Sequence, residues 1–152
     1  MTQFLQTIFP LFLGLVVLLA VIRLIMSRVR NRLAEAVQMK FAGRTIVRQS
    51  VGANFFGRLS HGVVQIRGNG ALVLTQKEVY FLQAVPRREL TIPLEIITSV
   101  TTPRSHLGKS VIFRLLRVDF REGKRADAIA WAVRDVDTWK ADIERYSPTT
   151  GK

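Results

Sequence analysis

The sequence contains no cysteine and only two histidines, and both shortages exclude kinds of chemistry. Without cysteine there are no disulfides, thiolate metal ligands or cysteine nucleophiles. His61 and His106 have no second histidine or carboxylate at ligand spacing, so we predict no metal and no cofactor. Ser60 precedes His61, but neighbours on a strand point to opposite faces and cannot form a nucleophile–base pair. We expect a protein that is not an enzyme; the alternative is an enzyme with an unrecognised site.

Charge is absent from residues 4–22, where fourteen of nineteen residues are Leu, Ile, Val or Phe. As a helix this run spans roughly 28 Å, close to the hydrocarbon core of a bilayer. Four arginines follow it and are the predicted membrane-surface contacts: Arg23, Arg28, Arg30 and Arg32. Because basic flanks stay in the cytoplasm, we expect a single span in the inner or plasma membrane, with the N-terminus outside and the rest cytoplasmic. The predicted anchor is 1–27.

Two alternatives to a membrane anchor are a cleaved signal peptide and a buried helix of a soluble domain. A signal peptide has a positively charged start, a shorter apolar core and a small-residue cleavage site. Here no Lys or Arg precedes the run, and it ends in Val-Ile-Arg-Leu-Ile-Met. The length of the run and its basic border favour the anchor over a buried helix.

Acidic residues are also scarce, with 11 against 23 basic ones and a formal net charge of +12. Residues 23–60 carry eight basic side chains and only Glu35 as an acidic one. Anionic lipids of the cytoplasmic leaflet are the simplest partner for this charge, and nucleic acid is the other candidate. The aromatic residues argue against nucleic acid, because they mostly occupy core positions instead of forming an exposed stacking platform.

A short amphipathic helix is predicted at 28–43, directly after the anchor. Val29, Leu33, Val37 and Phe41 recur every four residues, and Gly43 can end the helix. This apolar stripe could lie on lipid headgroups, pack on the following domain, or pair with a second copy of the chain, so oligomerisation through 28–43 stays open.

After Gly43 the pattern indicates an antiparallel β domain. Asn69-Gly70 separates two apolar runs and predicts a tight hairpin turn. The predicted strands are 45–51, 58–67, 71–74, 79–85, 90–94, 96–101, 111–121 and 126–133. In the strand 111–121 the alternation changes parity, which predicts a bulge near Leu115.

A C-terminal helix is predicted from Asp135, as its side-chain cap, to Pro148. Val136, Trp139 and Ile143 recur at helical spacing and would cover one end of a small barrel or sandwich.

This order of elements resembles the pleckstrin-homology (PH) superfold, and within it the GRAM-type and bacterial PH-like domains. The segments that carry the resemblance are Gly70-Ala-Leu-Val-Leu-Thr75, Val79-Tyr-Phe81, Ile92-Pro-Leu-Glu-Ile-Ile-Thr-Ser-Val100, Leu116-Arg-Val-Asp-Phe-Arg-Glu-Gly123 and the helix with Trp139. The resemblance implies a binding module at 44–147, followed by a disordered tail at 148–152. It also implies lipid or partner contact near the first hairpin, for which the candidates are Arg44, Arg48, Arg58 and Arg67.

These observations predict a membrane-anchored PH-like interaction module. It would present a small β-barrel at the cytoplasmic surface to recruit an unidentified protein partner or to contact anionic headgroups. The four candidate arginines lack a tight basic-x-basic spacing, so we expect their attraction to anionic lipids to be non-specific. The alternative is a membrane-tethered basic domain that binds nucleic acid.

Overall fold

The computed structural model describes residues 2–148, so all but the first residue of the predicted tail lies outside the described residues. The chain forms two compact units, one ending at Arg32 and the other beginning at Leu33. We describe each unit by itself.

The first unit lies within a long helix, α1 (Thr2–Lys40). Within Phe12–Lys40, the most apolar stretch of 18 residues has a mean hydropathy of 2.3, and none of that stretch is buried. Its length and composition are those of a membrane-spanning helix, and a signal sequence near an N-terminus shares them. Arg23, Arg28, Arg30 and Arg32 are exposed on it.

The last turns of α1 belong to the second unit and pack on it. Leu33, Val37 and Phe41 are at most 6% exposed, and the Phe41 ring contacts the Tyr80 ring edge to face with centroids 5.2 Å apart. Of the three predicted roles of the apolar stripe, packing on the domain is therefore the one observed. Gly43, at φ +74°, follows the helix end as predicted.

The second unit is built on one open sheet of seven antiparallel strands, in the order β4-β3-β2-β1-β9-β8-β5. These strands are β1 (Ile46–Arg58), β2 (Gly68–Thr75), β3 (Glu78–Gln83), β4 (Arg88–Pro93), β5 (Ile97–Thr101), β8 (Leu116–Glu122) and β9 (Arg125–Ala132). A separate two-stranded hairpin is formed by β6 (Ser105–His106) and β7 (Lys109–Ser110). Helix α2 (Val136–Tyr146) follows the sheet.

Strand β1 joins the two halves of the sheet, pairing with β2 along most of its length and with β9 near its end. The register of β1 shifts between Val51 and Ala53 and again between Phe55 and Gly57, and such bulges bend a strand. The core lies on one face, where Leu72, Phe81 and Trp131 are almost fully buried. Trp139 of α2 joins the same core, as predicted.

The prediction of a turn at Asn69-Gly70 was wrong. Both residues lie inside β2, where Asn69 pairs with Asn54 and Gly70 with Ala53. The predicted strand 58–67 is also not formed, because β1 runs on to Arg58 and then gives way to a 3-10 turn at Leu59–His61 and an irregular segment. The hairpin connection between β1 and β2 is therefore the whole of 59–67.

Two further predictions near the C-terminus were wrong in detail. The strand 111–121 is interrupted, since β8 begins only at Leu116 and residues 111–115 form a loop. Leu115 and Leu116 are both fully buried, but Leu115 packs in a separate cluster with Phe56 and Ala130. Asp135 precedes α2 in a left-handed conformation, and its backbone carbonyl, not its side chain, accepts hydrogen bonds from the helix.

A candidate docking face and cavity

Exposed apolar side chains are concentrated in two loops. Among the described residues from 33 onward, eight large hydrophobic side chains are exposed, and six of them lie in the first loop (59–67) or the second loop (111–115). Within these two loops the most exposed are Ile112 at 95% and Val64 at 93%, followed by Ile66 at 67%. We call the two loops together the loop face. Such a concentration of exposed apolar side chains is typical of an interaction surface.

The two loops meet at Phe56 on the outer side of β1. The Phe113 ring contacts the Phe56 ring edge to face, with centroids 6.3 Å apart, and the Arg67 guanidinium lies 4.4 Å from the same ring centroid. One residue later, a Cβ at Gly57 would lie 2.7 Å from Leu107 of the β6–β7 hairpin and 3.2 Å from Gln65. The backbone of Gly57 therefore lets three segments converge on one surface.

The second loop is held firmly at its base although its tip is exposed. The Val111 N–H donates to the Arg104 carbonyl at 2.8 Å, and the Leu115 N–H donates to the Pro103 carbonyl at 2.8 Å. Arg114 donates two hydrogen bonds to the Asp137 carboxylate, at 2.7 and 2.5 Å. Ile112 is thus presented to solvent by an ordered loop.

A cavity of about 430 Å³ opens beside the first loop, between β1 and the ends of β3 and β4. Its floor is apolar, with Phe55 and Phe81 stacked at 5.8 Å and Leu90 beside them. Val64 and Ile66 of the loop face form its lip. We call this the mouth cavity; its volume is that of a small-molecule site.

Charged side chains surround the mouth cavity, but most are already paired. Arg58 bonds to Asp127, and Glu89 bonds to Lys40. His61 and Arg88 also line the cavity, and within the described part of the chain no ion pair joins either of them to a carboxylate. The charge left over at the rim is therefore positive.

A buried carboxylate fixes the wall of this site. Asp127, with its side chain 1% exposed, accepts hydrogen bonds from the Ser60 hydroxyl at 2.7 Å, from the Ser60 N–H at 2.9 Å, and from Arg58. Burial alone would raise the pKa of Asp127, but these bonds, with one from the Ala128 N–H, outweigh it and lower the pKa to about 2. The first loop is thereby tied to β9.

The lowered pKa of Asp127 predicts how the stability of the domain depends on pH. The folded-state pKa of Asp127, about 2, lies below its ordinary value of 3.8, so its contribution is present above pH 4 and is lost as the pH falls towards 2. The shift corresponds to roughly 2 kcal/mol of unfolding free energy. We expect Asp127→Asn to lower the stability of the detergent-solubilised chain at pH 7 and the deficit to shrink towards pH 2, as measured by urea unfolding and tryptophan fluorescence. A deficit independent of pH would contradict the assigned charge.

The structure does not gather the four arginines predicted near the first hairpin. Arg48 bonds to Asp142 of α2 at 2.5 Å and is only 29% exposed. Arg44 lies two residues before β1, at 3.5 Å from Glu78. Arg58 lies at the other end of β1 and lines the mouth cavity, and Arg67 stacks on Phe56. Only the latter two reach the loop face.

Sequence reasoning missed the loop face and the Asp127 cluster. Val63 to Ile66 form a short, mainly apolar run before Asn69-Gly70, and Val111 to Leu115 looked like the start of another strand, so both segments were predicted as strands. The parity change at Leu115 and Leu116 was a usable signal for the second loop. Nothing local distinguishes Asp127 from a surface carboxylate, because its partners Arg58 and Ser60 are more than sixty residues away in the sequence.

Among the described residues, no three histidine or carboxylate side chains come together in a group that could hold a metal ion.

Comparisons with known proteins define the fold and no more. No protein-family model matches the chain, and no curated protein matches it. Among solved structures, it is similar to the C-terminal domain of an unknown protein from Leishmania infantum, at 13% sequence identity and a TM-score of 0.54. That similarity covers 72% of this chain and 89% of the other. The chain therefore has a long apolar N-terminal helix and an antiparallel β domain whose fold occurs in solved structures.

Proposed function

We propose that this protein is a membrane-anchored binding module of the PH-like kind. Helix α1 is the anchor and crosses the inner or plasma membrane once. Its N-terminus lies on the outer side of that membrane, and the β domain lies on the cytoplasmic side. The module has no catalytic role and needs no cofactor. The sheet of seven antiparallel strands followed by one helix supports the PH-like assignment, and the arginines after the apolar run support the orientation.

The observation that carries the proposal is the loop face. Its exposed Val, Ile and Phe side chains are accompanied by two arginines. Arg67 lies on the Phe56 ring, and Arg114 is bonded to the Asp137 carboxylate. Apolar side chains that enter the interface, together with cations that face anionic headgroups, are the features of surface-binding proteins. We infer that the loop face docks on the anionic cytoplasmic leaflet. A protein partner is the other candidate occupant of this face.

Docking on lipid can be followed in the full chain because it contains no cysteine. A single cysteine at Ile112, carrying an environment-sensitive fluorophore, is compared with one at Ala141, on the exposed side of α2. In nanodiscs with anionic lipid we expect a blue shift at position 112 and none at 141. The shift should weaken in neutral discs and at several hundred millimolar salt, as Debye screening requires.

Two outcomes would overturn the lipid assignment. Identical emission of the position-112 label in anionic and neutral discs would exclude docking on the anionic leaflet and leave a protein partner for the loop face. Release of the chain from native membranes by alkaline carbonate would exclude the anchor itself. A preference among headgroups of equal charge would instead indicate a specific lipid site, for which geometry matters as well as charge.

A further inference from the structure

We propose that the mouth cavity binds the acyl chain of an anionic amphiphile, a fatty carboxylate or a lipid tail with a charged head. This inference deepens the proposed function by naming a ligand for the same face. It rests on three properties of the cavity: its floor, its rim charge and its position at the loop face.

The floor of the mouth cavity offers nothing that would bind a phosphate. Phe55, Phe81 and Leu90 supply only apolar surface. Arg58, three residues after Phe55, bonds to Asp127, a carboxylate whose side chain is 1% exposed. A bare phosphorylated headgroup would therefore have to compete with Asp127 for Arg58. An acyl chain needs no polar partner, and burying it against the two phenyl rings is favourable.

The rim of the mouth cavity selects the sign of the head group. Lys40 already neutralises Glu89 and Asp127 neutralises Arg58, so Arg88 and His61 remain as the basic side chains able to meet a ligand head; the other polar side chains of the lining, Gln65 and Gln83, are uncharged. A guanidinium pairs well with a carboxylate or a phosphate. An apolar floor below a positively charged rim is thus complementary to an anionic head with one chain.

The lip of the mouth cavity explains how such a ligand would enter. Val64 and Ile66 line the cavity and are also among the most exposed apolar side chains of the loop face. If the loop face lies in the lipid interface, the cavity opens where acyl chains are present. If the lip faced only water, it would expose two large apolar side chains, an arrangement typical of surfaces that bind a partner or a membrane.

The chain carries its own reporter for this site. The Trp131 ring lies 5.9 Å from the Phe81 ring, which forms part of the cavity floor. We expect a fatty acid brominated along its chain to quench tryptophan emission of the full chain in neutral nanodiscs, saturably and reversibly on competition with the unbrominated acid. In a second arm, an anionic phospholipid with brominated chains is built into the disc in place of the free acid, which distinguishes a membrane lipid from a free fatty acid as the source.

A matched pair of variants separates the cavity from docking. Val64→Asp and Ile112→Asp change side chains of nearly equal exposure, 93% and 95%, but only Val64 lines the cavity. In the free-acid arm with neutral discs, we expect Val64→Asp to raise the acid concentration that gives half-maximal quenching about tenfold or more, and Ile112→Asp to leave it unchanged. Both variants should weaken docking on anionic discs.

Arg88→Glu tests the rim. It should remove the preference for a brominated fatty acid over the corresponding alcohol, without altering the affinity for the alcohol. Absence of saturable quenching in both arms, or equal loss in the Val64 and Ile112 variants, would overturn the cavity assignment. Either result is independent of whether the fluorophore at position 112 reports docking, so the two proposals fail separately.

Discussion

Replacing Gly70 with alanine should lower the unfolding free energy by about 3 kcal/mol or more, although Gly70 lies in a regular strand. A Cβ at this position would lie 2.2 Å from the Leu82 carbonyl oxygen and 2.6 Å from the Phe81 ring. One of these neighbours is backbone of β3, which pairs with β2 at this position. The strands would have to separate, because a backbone oxygen cannot move aside as a flexible side chain can.

The matched control for Gly70 is Asn69→Ala, one residue earlier. Asn69 is exposed. In a tight turn Asn69 would matter as much as Gly70, because both residues of an Asn-Gly turn must tolerate positive φ. In a strand, replacing Asn69 should change stability by less than about 0.5 kcal/mol. Urea unfolding of the solubilised chain measures both. Equal effects of the two substitutions would restore the turn interpretation, and a wild-type unfolding curve for Gly70→Ala would exclude the close approach.

Gly70 also illustrates what could be predicted from the sequence. Asn-Gly between apolar runs is a strong local signal for a hairpin, yet here the glycine serves a tertiary contact between β2 and β3. Local propensity reports which conformations a residue tolerates and not why a fold needs them. The apolar helix, the sheet and the C-terminal helix were predictable because their periodicity extends over many residues.

The loop face was not predictable for a related reason. Val64 and Ile112 are β-branched apolar residues in short apolar runs, and such runs are typical of strands. Only the structure shows that β1 ends at Arg58, before the first loop, and that β8 begins at Leu116, after the second loop. Exposed apolar residues that serve binding are indistinguishable in sequence from residues that serve packing.

The arginines show the converse difficulty. Arg48 and Arg58 were candidates for partner contact, but both make ion pairs inside the domain, with Asp142 and Asp127. Sequence gives the count of positive charges and not which of them are neutralised locally. The charge available to a ligand is therefore smaller than the formal net charge of +12 suggests.

The packing of α2 leads to the second large effect. Trp139 is 2% exposed and lies in the main core together with Val136 and Ile143. The Arg48 guanidinium lies 5.8 Å from its ring centroid while bonding to Asp142 on the same helix. Truncation to alanine would remove the largest side chain of α2 from the core and the surface on which Arg48 rests. We expect Trp139→Ala to lower the unfolding free energy by about 3–5 kcal/mol.

Two neighbouring substitutions separate packing from other effects on α2. Trp139→Phe keeps an aromatic ring and should recover a large part of the loss, whereas Thr138→Ala, at an exposed position one residue earlier, should change stability by less than about 0.5 kcal/mol. Because Trp139→Ala removes one of the two tryptophans, unfolding is followed by circular dichroism. If Trp139→Ala unfolds at the same urea concentration as Thr138→Ala, α2 does not hold the core, since a tryptophan that contributes several kcal/mol cannot be removed from a small domain without a shift of the midpoint.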